Sequence, residues 1–171
     1  MPVLVTYATS RGSTREVADR IASRLYEHGF AVDCRPVDHV FSVENYSAVI
    51  LGSAVVRQRW LLDALVFVDV ESMGLQHKPF WAFSLSMAPV AVPKWIATRM
   101  TKRQRKTVEV RLMSKVPKMK EHRLFPGRND GSSVPRRLRS LYRCLGGRFG
   151  DMRDWGEIDA WADNIAKQLA C

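Results

Sequence analysis

Cysteine is scarce: Cys34, Cys144 and Cys171 have no metal-ligand spacing and cannot all pair, which excludes a zinc site and a disulfide framework. That usage fits a reducing, cytosolic compartment. The histidines His28, His39, His77 and His122 lie far apart, with no i, i+4 partner and no neighbouring cysteine. They read as surface or loop residues, and no metal is expected. Long apolar runs are missing too. Met1 to Tyr7 has no basic n-region and is too short for a signal peptide or a spanning helix, so any membrane contact is expected from the side. The chain has no internal repeat, no low-complexity tract, no Walker loop, no Gly-x-Gly-x-x-Gly fingerprint and no nucleophile elbow with a Ser-His-Asp set.

Acidic residues are the remaining shortage. Lys and Arg number 27 against 17 Asp and Glu, a formal charge of +10. Such a field favours an anionic partner, whether nucleic acid, an acidic protein or a lipid surface, and says little about fold.

What is present is an ordinary globular composition, 46% hydrophobic, sized for a single domain over residues 1–171. Val3 to Ala8 is apolar on consecutive positions, as a central strand buried on both faces must be. Ser13-Thr14-Arg15-Glu16 reads as a capping box opening a helix, with Val17, Ile21 and Leu25 on its inner face and an end near Gly29. Phe30 to Val37 alternates as a second strand. Tyr46 to Leu51 reads as a third, stopped by Gly52, and Pro79 to Ser86 as a fourth. Trp60 to Val70 is apolar almost throughout, so periodicity does not separate helix from strand; its place between two strands favours helix.

Ala97 to Ser114 reads as a highly basic helix and Glu121 to Phe125 as a fifth strand, ended by Pro126-Gly127. Arg128 to Gly150 is a polar, basic insertion with a short helix over Pro135 to Leu145. Asp154 and Glu157 form a second capping box, and Trp155, Ile158, Trp161, Ile165 and Leu169 follow one buried face of a final helix. Strands alternating with helices imply βαβ crossovers and a parallel sheet with helices on both faces.

The chemistry is concentrated where the first strand meets the first helix. Thr9-Ser10-Arg11-Gly12-Ser13-Thr14 combines hydroxyl donors, a glycine that lets backbone approach closely, and a helix N-terminus whose first amides lack intrahelical partners. Those are the requirements of a phosphate site, and also of a plain polar turn with a good helix cap. Thr9-x-x-Gly12-x-Thr14 after Leu-Val-Thr-Tyr-Ala resembles the flavodoxin phosphate loop, and Glu44 to Ser53 is similar to the third strand of that family. The ending Gly150-Asp151-Met152-Arg153-Asp154-Trp155, followed by Ile158 and Trp161-Ala162, resembles flavodoxin-domain proteins grouped with the menaquinone-dependent protoporphyrinogen oxidases.

The resemblance implies a flavodoxin-like α/β fold with strand order 2-1-3-4-5 and FMN at the carboxyl ends of the strands, where the open-sheet rule also places a ligand. It implies that Thr9, Ser10, Arg11, Gly12, Ser13 and Thr14 surround the phosphate. Ser53, Ala54, Val55, Val56 and on to Trp60 would then lie along one face of the isoalloxazine. Ser84, Leu85 and Ser86, on to Pro89, would lie along the other face or its edge. Related proteins tend to carry glycine where Gln58 stands, and Arg11 replaces a small or acidic residue. Trp60 is either a flavin-stacking indole or a core anchor; Trp81 reads as core.

Two basic stretches stand outside this site. One runs from Lys94 to Arg123; the other, Arg136 to Arg148, interleaves with Leu138, Leu141, Tyr142 and Leu145 as a basic amphipathic helix that suits an anionic membrane or a partner. Three functions follow as expectations. The first is an FMN oxidoreductase resembling protoporphyrinogen oxidase, which passes electrons from a porphyrinogen to a quinone beside an anionic membrane. The second is a small electron-transfer flavodoxin. The third is a non-enzymatic basic domain with a decayed flavin site. Nucleic acid is disfavoured as a partner because no aromatic-basic stacking platform is visible.

Overall fold

A strand buried at all its positions needs cover on both faces, and β1 (Val3–Ala8) has it. The computed structural model describes residues 1–86, 94–129, 137, 140, 144 and 150–170. After β1 come α1 (Ser13–Glu27), β2 (Val32–Pro36), a 3-10 turn (Val37–His39) and β3 (Ala48–Val56). Next are β4 (Arg59–Trp60), α2 (Leu62–Gln76), β5 (Phe80–Ser86), α3 (Lys94–Lys115) and β6 (Glu121–Pro126). The short β7 (Arg128–Asn129) and β8 (Gly150–Asp151) precede α4 (Trp155–Ala170). Most of the expected short helix Pro135 to Leu145 lies outside the described residues.

Strands β2-β1-β3-β5-β6 form a parallel sheet in that order, the doubly wound arrangement of a flavodoxin-like α/β fold. Alternate residues of β1 face opposite layers. Val3, Val5 and Tyr7 pack with Val17, Ile21 and Leu25 of α1 and with Ile158, Trp161 and Ile165 of α4. Leu4, with Val49 and Leu51 of β3, packs against Phe67, Val68 and Leu75 of α2 and Val108 and Leu112 of α3. On the first side the helices are laced by Arg20 to Asp159 at 2.6 Å and Arg24 to Asp163 at 2.8 Å, with His28 at 2.9 Å from the same Asp163. Among the described residues, no helix is long and apolar enough to cross a membrane.

Three local expectations fail for tertiary reasons. Gly52 does not stop β3, which runs on to Val56. The glycine is there because the Phe83 ring packs onto it: a Cβ would lie 2.1 Å from Phe83 Cζ. Trp60 does not open a helix; Val55 pairs with Trp60 and Val56 with Arg59 in an antiparallel hairpin, and α2 starts at Leu62. The capping box at Ser13 is not made either, because the N-cap of α1 is Gly12 at φ 85° and offers no side chain. The cap at Asp154 does form: its Oδ1 accepts the Glu157 N–H at 3.0 Å.

The β3–β4 hairpin turns through Arg57 at φ 49° and Gln58 at φ 65°. Left-handed backbone at both central positions is what a two-residue hairpin with native twist requires, and it favours glycine or asparagine. It gives a backbone reason for the glycine that the family resemblance leads one to expect at the Gln58 position. A side chain there costs about 1–2 kcal/mol, partly offset by the extra freedom glycine has when unfolded. Gln58→Gly is therefore expected to stabilise the chain by about 1 kcal/mol, raising the melting temperature by about 2–4 °C in a circular dichroism melt.

Candidate functional site

The β1–α1 connection is tight. Gly12, in left-handed backbone, donates its N–H to Thr9 Oγ1 at 2.9 Å, and its carbonyl accepts the first helical bond, from Glu16 N–H at 3.1 Å. With no side-chain cap, the first-turn amides of α1 remain open to an anion. Thr14 is fully buried, yet its Oγ1 has no hydrogen-bond partner. A buried hydroxyl left in that state costs about 1–3 kcal/mol.

Thr9, Ser10, Arg11, Ser13 and Thr14 line one side of a cavity of about 420 Å³. Ala54, Val55, Val56 and Leu61 from the hairpin, Leu85 from the end of β5, and Gly127 and Arg128 after β6 close the rest. The volume is of the size that holds a small organic ligand or cofactor. Of the residues singled out from sequence, nine converge here, and Gly12 supplies the turn between them. Leu61, Gly127 and Arg128 were not anticipated. The signal available for Gly127 and Arg128 was topological, since they follow the carboxyl end of a parallel strand.

Ser53, Trp60, Ser84 and Ser86 are not brought into this cavity. Ser53 is buried; its Oγ accepts the Leu61 N–H at 3.1 Å and so ties the hairpin's far end back to β3. Ser86 Oγ donates to Gln104 Oε1 at 2.8 Å and lines a smaller neighbouring cavity of about 250 Å³ with Arg57, Gln58, Met100 and Gln104. Residues 87–89 of the expected β5 loop lie outside the described residues.

Trp60 is a buried anchor. Its indole Nε1 donates to Ser84 Oγ at 2.7 Å, and Ser84 Oγ lies 2.8 Å from His122 Nε2. His122, expected at the surface, is 1% exposed. Alternation along β6 turns it inward, while Glu121 and Arg123, on either side of it, pair with each other at 2.6 Å. Burial, with the charge of Arg105 adding to it, pushes its pKa down to about 4, so the imidazole is neutral at ordinary pH. The network fixes β4, and with it the hairpin wall of the cavity, to β5 and β6.

The Gly150–Trp155 segment braces the loop from behind. The Arg153 side chain is buried and chelates Asp151, with Nη2 to Oδ2 at 2.6 Å, and it also reaches Glu16 at 2.7 Å. Its guanidinium sits 4.5 Å from the Trp155 ring centroid, so Trp155 is half-buried under the arginine while Trp161 is fully buried in the core. The hydrogen bond from Arg153 holds the Asp151 carboxyl below the usual carboxylate range. Cys34 is no candidate nucleophile: burial, with Asp19 beside it, pushes its thiol up to about 12.

A family model described as "Flavodoxin domain" matches residues 4–140, and the chain belongs to that family. Among solved structures, a mutant of the flavodoxin from Pseudomonas aeruginosa aligns over 100% of both chains with a TM-score of 0.65 at 10% identity. Flavodoxin 1 from Bacillus cereus aligns over 98% of both chains with a TM-score of 0.62 at 16% identity. Rubredoxin oxygen:oxidoreductase from Desulfovibrio gigas reaches a TM-score of 0.63 at 15% identity, over 99% of this chain and 36% of its own. Comparison with curated proteins returned no match. Identities this low speak for the shared fold.

The buried imidazole ties stability to pH. The unfolded chain takes up a proton near the ordinary histidine pKa of 6.5, whereas folded His122 resists until about 4. This contribution is intact above about pH 6.5 and is lost as pH falls toward 4. Between about pH 6.5 and pH 5 the loss amounts to about 2 kcal/mol. In urea titrations at the two pH values, His122→Gln is expected to abolish that part of the decline.

Proposed function

We propose that this chain is an FMN-binding redox protein whose cofactor phosphate sits in the Thr9–Thr14 loop. FMN is the cofactor of flavodoxin domains. The observation that carries the reading is the buried, unpartnered Thr14 hydroxyl beside the uncapped first turn of α1. Together they form a donor set of the kind a phosphate group accepts from. FMN, when bound, supplies the one- and two-electron chemistry. The chain's part is to orient the cofactor and exclude water. Thr14, Ser13 and the loop amides hold the phosphate, and Gly12 keeps side-chain atoms out of its way. Val55, Val56, Leu61 and Leu85 give apolar walls for the ring system, and Arg11 and Arg128 add positive charge at the cavity. Ser53, Trp60 and Ser84 act one step back, by fixing the hairpin.

The narrower reading is oxidation of a porphyrinogen-like substrate with delivery of electrons to a quinone. It follows from the resemblance of the Gly150–Trp155 ending, and a charge of +10 suits both the carboxylates of such a substrate and an anionic membrane surface. The second reading is a small electron carrier with no substrate of its own. The full-length alignment with free-standing flavodoxins supports it. A reducing compartment suits either function, since Cys34 and Cys144 are free thiols.

Titration of FMN, followed by quenching of its fluorescence, should show saturable binding. Thr14→Val combined with Ser13→Ala should weaken it at least about tenfold, while thermal stability holds or rises because an unpaired hydroxyl is gone. Arg153→Ala should instead lower stability by about 2 kcal/mol, through the lost charged hydrogen bonds to Asp151 and Glu16, and weaken FMN binding as a consequence. A folded protein that does not bind FMN sinks the proposal. With FMN bound, turnover of protoporphyrinogen with a quinone supports the narrower reading; reduction by a reductase without substrate turnover supports the carrier.

A further inference from the structure

Of the eleven large apolar side chains left in water among the described residues, seven lie on α2 and α3; Met1, Tyr26, Phe41 and Val56 lie elsewhere. On α2, Leu62, Val66, Val70 and Met73 recur at spacings of four, four and three and so form one line along the helix. Leu62, Val70 and Met73 are 72%, 70% and 73% exposed. On α3 the outward line is Arg99, Arg103, Lys106, Val110 and Met113 at spacings of four, three, four and three, with Lys102 beside it, opposite the buried Val108 and Leu112. Both helices press their inner stripes onto the same side of the sheet, so the two outward lines face the same way. The surface is aliphatic along α2 and the second half of α3. It is cationic along the first half of α3.

We infer that this outer face of α2 and α3 docks on an anionic lipid bilayer. An exposed aliphatic line on a folded domain marks a contact surface, and an aliphatic field joined to Lys and Arg is the chemistry of the boundary between acyl chains and anionic headgroups. The described ion pairs of α3, Arg105 with Glu109 and Lys115 with Asp69, use none of the four outer cations. Two acids belong to this face: Asp63, which is exposed beside the line, and Asp69, three residues after Val66 and four before Met73, which lies on the line and is held by Lys115 at 3.0 Å. The cations outnumber them. A second copy of the chain carries the same +10, so charge opposes self-association. An acidic protein would answer the cations, but the bilayer answers the cations and the aliphatic line over one flat area. The surface lies apart from the cofactor cavity and does not depend on its occupancy.

Co-sedimentation of the full chain with vesicles tests this. Binding is expected to vesicles of equal parts phosphatidylcholine and phosphatidylglycerol and not to phosphatidylcholine alone. Val66→Ser with Val70→Ser and Met73→Ser should weaken it at least about tenfold, as should Arg103→Glu with Lys106→Glu. All five positions are exposed, and circular dichroism and FMN titration check that each variant is folded. Absence of binding to the anionic vesicles overturns the proposal. Binding that ignores the serine substitutions also overturns it and leaves an acidic protein as the partner class. A dimer in sedimentation that the serine substitutions dissociate would assign the face to a second copy instead.

Discussion

The first turn of α1 stays open because its N-cap, Gly12, offers no side chain, and Glu16, placed by the sequence to close a capping box, is held instead by Arg153 at 2.7 Å. A helix start without a cap forgoes about 1 kcal/mol of local stability, and the fold replaces that locally satisfied end with a tertiary ion pair. Arg153 can do this because Asp151 takes the rest of its guanidinium in a bidentate pair and Trp155 covers its face. The Gly-Asp-x-Arg-Asp-Trp ending is therefore a structural brace. It keeps an acidic side chain from occupying donors that an anion needs, and it does so from outside the cavity.

The opposite wall depends on a second tertiary device. The β3–β4 hairpin protrudes past the sheet with a turn whose central residues are both in left-handed backbone, which is strained for Arg57 and Gln58. Such a turn persists only when its flanks over-determine it. Trp60, hydrogen-bonded to Ser84 and stacked edge-on to His122 at 6.3 Å, anchors one flank. Ser53, accepting the Leu61 N–H, anchors the other. Below them, the Phe83 ring fills the space over Gly52, so β3 can run uninterrupted to the hairpin. Three polar side chains and one missing Cβ thus position a wall that is itself mostly apolar.

These devices also explain what could be read from the amino-acid order and what could not. The parallel strands were legible because burial on both faces leaves consecutive apolar residues, and the Thr9–Thr14 side of the cavity was legible because its residues are neighbours in the chain. Gly52, Trp60 and His122 were misread for one common reason. Each answers to a partner on another strand, and no local pattern records that partner. A glycine required by an aromatic ring looks like a strand terminator, and a tryptophan on a two-residue strand looks like the start of the apolar helix behind it. A histidine buried by strand alternation looks like a loop residue. The capping box was read correctly as a motif and wrongly as a structure, since Gly12 takes the N-cap and Arg153, the donor that competes for Glu16, lies near the far end of the chain.

Net charge, the other strong sequence signal, acquires meaning only from its placement. On the α1–α4 side the cations are consumed: Arg20 by Asp159, and Arg24 by Glu27 and Asp163. On the α2–α3 side they accumulate, because α3 carries one acid, Glu109, among its many Lys and Arg. Among the described residues, α3 thus concentrates positive charge on one layer of the sandwich, with eight Lys and Arg against one acid. A segregated charge orients a protein in the field of an anionic partner before any contact forms. Because α3 starts just past the carboxyl end of β5, its cationic half stands at the same end of the sheet as the cavity. An anionic partner drawn to that layer therefore meets the molecule with the cavity end of the sheet close by.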